Sequence, residues 1–363
     1  FQFAGYYIAK EKGFYSDVNL DGHIKETSFN TDIVKKVETK EVDFAVGRSS
    51  LLIEKMNGKD IVALGAIFQE SPLMLLVKKD SNINNIKDLR NKKIMITPEA
   101  KYSASILAMF SANELSINNF IVLKHSFDIN DLISGKTDAM SSYLSNEPII
   151  LDDKKIEYKI FHPKDFGFDF YSDILFSSSD FIKNNPKVTK DFYEASLKGW
   201  KYAFENLAET AEIIYSKYNT QGKSYIHLVK EGEILKKLAY AKNTDLGMLD
   251  ENKLKNIANV FKLFGLVNKD LNTQEFIYSQ NHSETKKLLL TVINATDDLI
   301  FYKNCKLIYL GCNKSFEKLV GKKESEIIGK DDFELFEKQI AETFREYDLA
   351  VLNNNKLITN DEW

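Results

Sequence analysis

Apolar residues in the first 278 positions fall into short blocks that alternate between two periods. Val42-Asp43-Phe44-Ala45-Val46-Gly47, residues 61–68 and residues 73–77 are brief apolar runs bounded by glycine, proline or polar residues, as buried strands are. Residues 20–24, Leu-Asp-Gly-His-Ile, alternate and predict a further strand. Ile94-Met95-Ile96, residues 120–123, Thr137-Asp138-Ala139-Met140 and Ile174-Leu175-Phe176 continue the strand series. Between them the spacing turns helical, as at Ile33, Val34 and Val37 and again over residues 102–115. Lys40-Glu41-Val42-Asp43-Phe44-Ala45 is echoed by the helix, turn and strand around Ser134-Gly135-Lys136-Thr137-Asp138-Ala139, which predicts two related lobes. Strands alternating with helices imply doubly wound α/β sheets with ligand at the strand carboxyl ends. Residues 188–204 and 206–218 then read as consecutive amphipathic helices. The stripe Phe192, Tyr193, Leu197, Trp200 and Phe204 is a core stripe at helical spacing, and helix continues to Phe264, where Gly265 ends it.

Candidate chemistry gathers where this pattern breaks. Residues 1–15 open on Phe1, Phe3, Gly5, Tyr6 and Tyr7, with Gln2 among them, then turn into a helical pattern over residues 8–12 that stops at Gly13. Aromatic faces and a backbone-exposing glycine at a loop-to-helix junction suit a small-ligand pocket, although the same aromatics also suit a core. Gly47-Arg48-Ser49-Ser50 between a strand and a helix aims N–H groups and hydroxyls at a ligand, and Arg48 offers a grip for an anion. Gln69 and Ser71 follow another strand. Tyr143, Asn146 and Glu147 follow a third, and Asp169, Tyr171 and Asp173 sit among Phe166, Phe168 and Phe170. Three carboxylates among aromatics predict a ligand that supplies a donor, an amino-pyrimidine or other amine, through stacking and charge-assisted hydrogen bonds.

The phrase FQFAGYYIAKEKGFY closely resembles the opening of the substrate-binding proteins of the nitrate, sulfonate and thiamine-precursor branch, especially those related to the thiamine-pyrimidine synthases. The resemblance covers roughly residues 1–278. It implies a two-lobed type II periplasmic-binding-protein fold, with lobe 1 at about 1–80 and 170–278 and lobe 2 at about 81–169. Hinge crossings are then expected near 77–86 and 161–171. Residues 141–148 and 166–173 are similar to phrases that form the second-lobe wall and the return crossing in sensor-type members. In that family the opening segment follows a strand; here the chain begins at Phe1 without methionine, so a truncated amino end is expected.

After about residue 283 the text changes. Residues 284–293 predict a short helix with no core of its own, a linker over 279–293. Residues 299–302 and 307–310 predict paired strands, and Asn313-Lys314-Ser315-Phe316 opens a helix. With Gly329 and DDFELF at 331–336, then a long helix over about 337–352, residues 294–363 closely resemble an α+β PAS domain that stops short of its last three strands. In full-length relatives of this architecture the output is a histidine kinase or a diguanylate cyclase. The resemblance thus implies the input region of a bacterial signal-transduction protein, dimeric through the linker helix and the PAS domain, in a membrane-associated parent with a periplasmic binding domain. An ABC-transporter binding protein for a thiamine precursor is the alternative.

Composition narrows the classes further. A net charge of −4 offers no basic field for nucleic acid, and only Arg48, Arg90 and Arg345 are arginine. No cofactor is expected and none of the enzymatic signatures is present. The five histidines show no HxxxH or HExxH spacing, no GxxxxGK[ST] occurs, and the cysteines, Cys305 and Cys312, lie far from the cysteine-rich motif of the pyrimidine synthases. No stretch approaches 18 apolar residues.

Overall fold

The computed structural model describes residues 1–27, 31–97, 100–241, 244–278, 291–304 and 306–354. The chain forms two compact units, Phe1–Ser279 and Gln280–Trp363.

In the first unit the order begins α1 (Ala4–Glu11), α2 (Ile33–Glu38), β1 (Ala45–Gly47), α3 (Leu51–Met56), β2 (Val62–Phe68) and β3 (Leu73–Lys78). It continues with β4 (Lys93–Ile96), α4 (Ala100–Ala112), β5 (Ile121–Lys124), α5 (Asn130–Ile133), β6 (Ala139–Tyr143), α6 (Glu147–Asp153) and β7 (Tyr158–Phe161). Then come β8 (Ser172–Ser177), α7 (Ser179–Asn184), α8 (Pro186–Glu205), α9 (Leu207–Lys217), α10 (Tyr225–Ala239), α11 (Glu251–Leu263) and α12 (Thr273–Phe276). These strands make two sheets: β1-β8-β2, with β8 antiparallel to both neighbours, and β5-β4-β6-β3-β7, with β4 parallel to β5 and β6. Each sheet with its helices is one lobe, and the chain crosses between them at residues 69–72 and 162–171.

The first crossing therefore precedes the expected 77–86. β3 pairs with β6 and β7, which places it in the second lobe, not the first. Its side chains are buried on both faces, Leu75 and Val77 in one apolar layer and Met74 and Leu76 in the other, as befits an interior strand of the larger sheet. The strand expected over residues 20–24 is irregular, because two apolar ends with no neighbouring ladder leave Asp21, His23 and Ile24 exposed.

The aromatic opening is helical from Ala4, not from Ile8. Gly5 lies inside α1 because α8 crosses it at contact distance. A Cβ on Gly5 would stand 2.1 Å from Trp200 Cγ, and one on Gly199 would stand 2.1 Å from the Gly5 carbonyl oxygen. Tyr6 meets Trp200 edge-on at 5.8 Å, Tyr7 stacks on Tyr218 at 4.0 Å, and Phe68, Trp200 and Phe204 complete this core. Gly199→Ala drives a methyl group into the Gly5 carbonyl and should destabilise the unit by about 1–3 kcal/mol or more, measured by urea unfolding. A midpoint equal to the wild type would refute the close crossing.

The second unit contains β9 (Phe301–Lys303), β10 (Tyr309–Cys312), α13 (Lys314–Val320), α14 (Glu324–Ile327), α15 (Asp332–Leu335) and α16 (Lys338–Asn354). β9 and β10 form an antiparallel hairpin. Asn313 caps α13 by accepting the Phe316 N–H at 3.0 Å, while its amide donates to the carbonyls of Ile293 and Asp298. Tyr309, Cys312, Phe316 and Ile327 are the core, and burial pushes the Cys312 thiol up to about 11, a structural cysteine. Beneath this core Lys303 donates to Asp332 and to Asp348 of α16, both at 2.6 Å, and the Tyr309 hydroxyl donates to Asp332 at 2.7 Å. Most of the expected linker helix, together with Cys305 and residues 355–363, lies outside the described residues.

Candidate functional site

The cleft between the lobes is built where strands end. β1 ends at Gly47, where a Cβ would stand 2.8 Å from Leu51 Cδ1, and the chain turns through Arg48-Ser49-Ser50 into α3. Ser49 is buried and its hydroxyl donates to the Tyr171 carbonyl at 2.8 Å, fixing this turn against the return crossing. From the first lobe Arg48, Ser49, Ser50, Tyr171, Ser172 and the rings of Phe170 and Phe261 face the cleft. From the second lobe and its crossing come Ser71, Leu73, Lys101, Tyr102, Ala104, Ser105 and Tyr143. The space between them is about 30 Å³, room for a water or two, so a ligand with a ring needs the lobes to part.

Contacts between the lobes flank the closed cleft. The Arg48 guanidinium lies over the Tyr143 ring, 5.3 Å from its centroid, and Lys101 of α4 pairs with Glu54 of α3 at 3.2 Å. Among the described residues no carboxylate lies within ion-pair distance of Arg48. The lining itself is aromatic faces, hydroxyls and cations, with no carboxylate.

One carboxylate stands directly behind it. Asp173, one residue past the lining Ser172, is 3% exposed and accepts from Gln2 Nε2 at 2.9 and 3.2 Å and from the Ser172 hydroxyl at 3.2 Å. Burial pushes its carboxyl up to about 6, against the opposing pull of the Gln2 hydrogen bond, the Arg48 charge and Ser172. Its φ is +51°, a left-handed conformation that aspartate tolerates better than most residues but that a strand does not require.

The structure thus brings together Arg48, Ser49, Ser71, Tyr143 and Tyr171 of the expected residues, with Gly47 in the supporting turn and Gln2 and Asp173 behind. It does not bring the others. Gly5, Tyr6 and Tyr7 belong to the α1–α8 core, and Phe3 points outward at 41% exposure. Gln69 spends its amide on the Ala66 and Met248 carbonyls. Glu147 opens α6 and turns back to accept the Tyr143 N–H at 2.8 Å and the Asn146 amide at 3.0 Å. Asp169 pairs with Lys253 at 2.7 Å. All three carboxylates expected to meet an amine are therefore answered by the protein itself, Asp173 through hydrogen bonds from neutral side chains. Sequence reading missed Lys101, Tyr102 and Ser105 on α4 and Phe261 on α11. Each sits in an ordinary helical pattern, where nothing distinguishes a cleft position from a surface or core one.

This is the architecture of a two-lobed small-molecule-binding protein, joined to a second unit. Residues 1–210 match the family NMT1/THI5 like, and the chain belongs to that family; residues 293–362 match the PAS fold. The chain is 24% identical over 218 residues to the riboflavin-binding protein RibY of Chloroflexus aurantiacus, covering 58% of this chain and 62% of RibY. It is 21% identical over 234 residues to a formylaminopyrimidine-binding protein of Halalkalibacterium halodurans, covering 62% and 69%. The match with RibY thus spans less than two thirds of that relative. The aerobic respiration control sensor protein ArcB of Escherichia coli shares 28% identity over 80 residues, 22% of this chain and 10% of ArcB. Among solved structures, the aliphatic sulphonate binding protein SsuA of Escherichia coli superposes with a TM-score of 0.64 at 11% identity, over 78% of this chain and 91% of SsuA.

Proposed function

We propose that the chain is the ligand-sensing input region of a bacterial signal-transduction protein: the first unit closes on a small molecule, and closure is relayed to the PAS unit. The observation that carries this reading is the union of a binding-protein fold and a PAS fold in one chain. The whole protein, on this reading, is membrane-associated, holds the binding unit in the periplasm, pairs as a homodimer, and ends in a histidine kinase or diguanylate cyclase. Among the described residues no helix is long and apolar enough to cross a membrane. The second reading is a transporter's binding component for a thiamine precursor or a related compound, favoured by relatives named for binding riboflavin and formylaminopyrimidine.

The ligand we assign is a planar heteroaromatic compound of the thiamine-pyrimidine kind. Its ring faces suit Tyr143, Tyr171 and Phe170, and its acceptor atoms or an anionic group suit the donors of Arg48. Asp173, rather than Glu147, is the carboxylate for an amine-bearing edge. Calorimetry with formylaminopyrimidine tests the assignment. Arg48→Met should weaken binding by about 2 kcal/mol, roughly thirtyfold. Glu147→Gln, which alters a carboxylate held by its own backbone, should change it less than threefold. The reverse pattern would move the anchor to Glu147. Hydrogen exchange in the PAS unit that responds to formylaminopyrimidine would favour the sensor, and a PAS unit indifferent to a bound ligand would favour transport.

A further inference from the structure

Both chain crossings converge on one lysine. Lys253, in the first turn of α11, donates to the Gln69 carbonyl at the first crossing and to Asp169 Oδ1 at 2.7 Å in the second. Its ammonium also lies 4.4 Å from the centroid of the Tyr171 ring, whose face lines the cleft. The same helix start reaches Tyr171 a second way, through the Asp250 N–H, which donates to the Tyr171 hydroxyl at 2.9 Å. An ammonium carries three donors in a compact head, so one residue can serve two segments that lie 184 and 84 positions away in sequence. Its side chain is 18% exposed and that of Asp169 is 20%, shielded enough for the pair to count. The crossings touch each other elsewhere too: His162 Nε2 meets the Ser71 carbonyl at 3.0 Å, and Lys164 pairs with Glu70.

We propose that Lys253 is the positioning residue that couples the cleft to the hinge. It holds the two crossings at a fixed separation and attaches that separation to the Tyr171 ring. A ligand that moves or stacks on Tyr171 then acts on both crossings at once, and the lobes turn about the Ser71–His162 contact. Only this last step rests on the cleft being the ligand site; the lacing of the crossings stands apart from it.

The test is hydrogen exchange on the full chain without ligand, comparing wild type, Lys253→Met, Lys253→Arg and Asp169→Asn. In Lys253→Met, amides of residues 69–71, 73 and 169–172 should exchange at least about tenfold faster, while those of β2 and β4 stay unchanged. Lys253→Arg should restore most of the protection and Asp169→Asn should fall between. A purely structural lysine would raise exchange in β2 as well, and unchanged hinge exchange in both Lys253→Met and Asp169→Asn would overturn the proposal. Should Lys253→Met fail to fold, Asp169→Asn decides alone. Scattering with formylaminopyrimidine then reads the final step: the wild type changes its radius of gyration as the lobes rearrange around the ring, and Lys253→Met binds with less than half that change. Equal changes in both would overturn the coupling, whereas no binding to the wild type would count against the assigned ligand and leave the exchange result to judge the hinge.

Discussion

Lys303→Met should unfold the second unit far below the wild-type midpoint while leaving the first unit intact. The Lys303 side chain is 6% exposed and that of Asp332 is fully buried. In the wild type Asp332 is answered by the ammonium and by the Tyr309 hydroxyl, and Lys303 also lies 4.5 Å from the centroid of the Tyr309 ring. Methionine preserves most of the aliphatic volume but leaves a carboxylate in the interior with one neutral donor. Breaking a buried pair by removing one partner costs about 3–5 kcal/mol, a large share of the stability of any unit this small. It also frees Asp348, and with it the tie from the hairpin to α16. Hydrogen exchange of β10 amides separates this unit from the other. The double variant Lys303→Met with Asp332→Asn should recover much of the loss, because neutralising both partners removes the stranded charge. If the single variant exchanged like the wild type, the network would be decorative.

Asp173→Asn should stabilise the first unit at pH 7.5 by about 3 kcal/mol and weaken binding of an amine-bearing ligand. The carboxyl rises from its ordinary 3.8 to about 6 on folding, chiefly through burial. A displacement of about two pH units corresponds to about 3 kcal/mol at about 1.4 kcal/mol per unit. The sign follows from proton counts. Between pH 4 and 6 the folded chain holds a proton that the unfolded chain has released, so stability falls as pH rises through this window and is lowest above it. Asparagine keeps the size, tolerates φ +51° and has no charge to desolvate. The gain over wild type should therefore be full at pH 7.5 and vanish below about pH 4. Urea unfolding of both proteins at the two pH values measures it. A gain independent of pH would mean that the carboxylate is not the source. A buried carboxylate held at such a cost directly behind a cleft wall marks a candidate binding position.

Much of this was legible before any coordinates. Short apolar runs alternating with helical periods carry their own evidence, because burial on two faces demands continuous apolar text and burial on one demands period 3.6. The strands at 61–68 and 73–77 and the helices of the 186–217 region follow that rule to within about two residues. The break after about residue 283 shows as a change of pattern, and so does the helix that starts at Asn313-Lys314-Ser315-Phe316.

Pairing between distant segments is another matter. β3 looks the same in sequence whichever sheet it joins; its registers with β6 and β7, not its composition, put it in the second lobe. Tyr6 and Tyr7 are as fit for stacking on a ligand as on Trp200 and Tyr218; α8 took Tyr6 because Gly5 and Gly199 let two helices touch, and Tyr218 at the end of α9 took Tyr7. Glu147, Asp169 and Asp173 are equivalent carboxylates as text. Their fates diverged through neighbours that sequence spacing does not reveal: a backbone N–H four residues back for the first, a lysine 84 residues on for the second, a glutamine 171 residues earlier for the third. Local periodicity is a property of adjacent residues and survives in the one-dimensional string. The partner of a charge or a ring is a property of three-dimensional proximity, and only the closed fold supplies it.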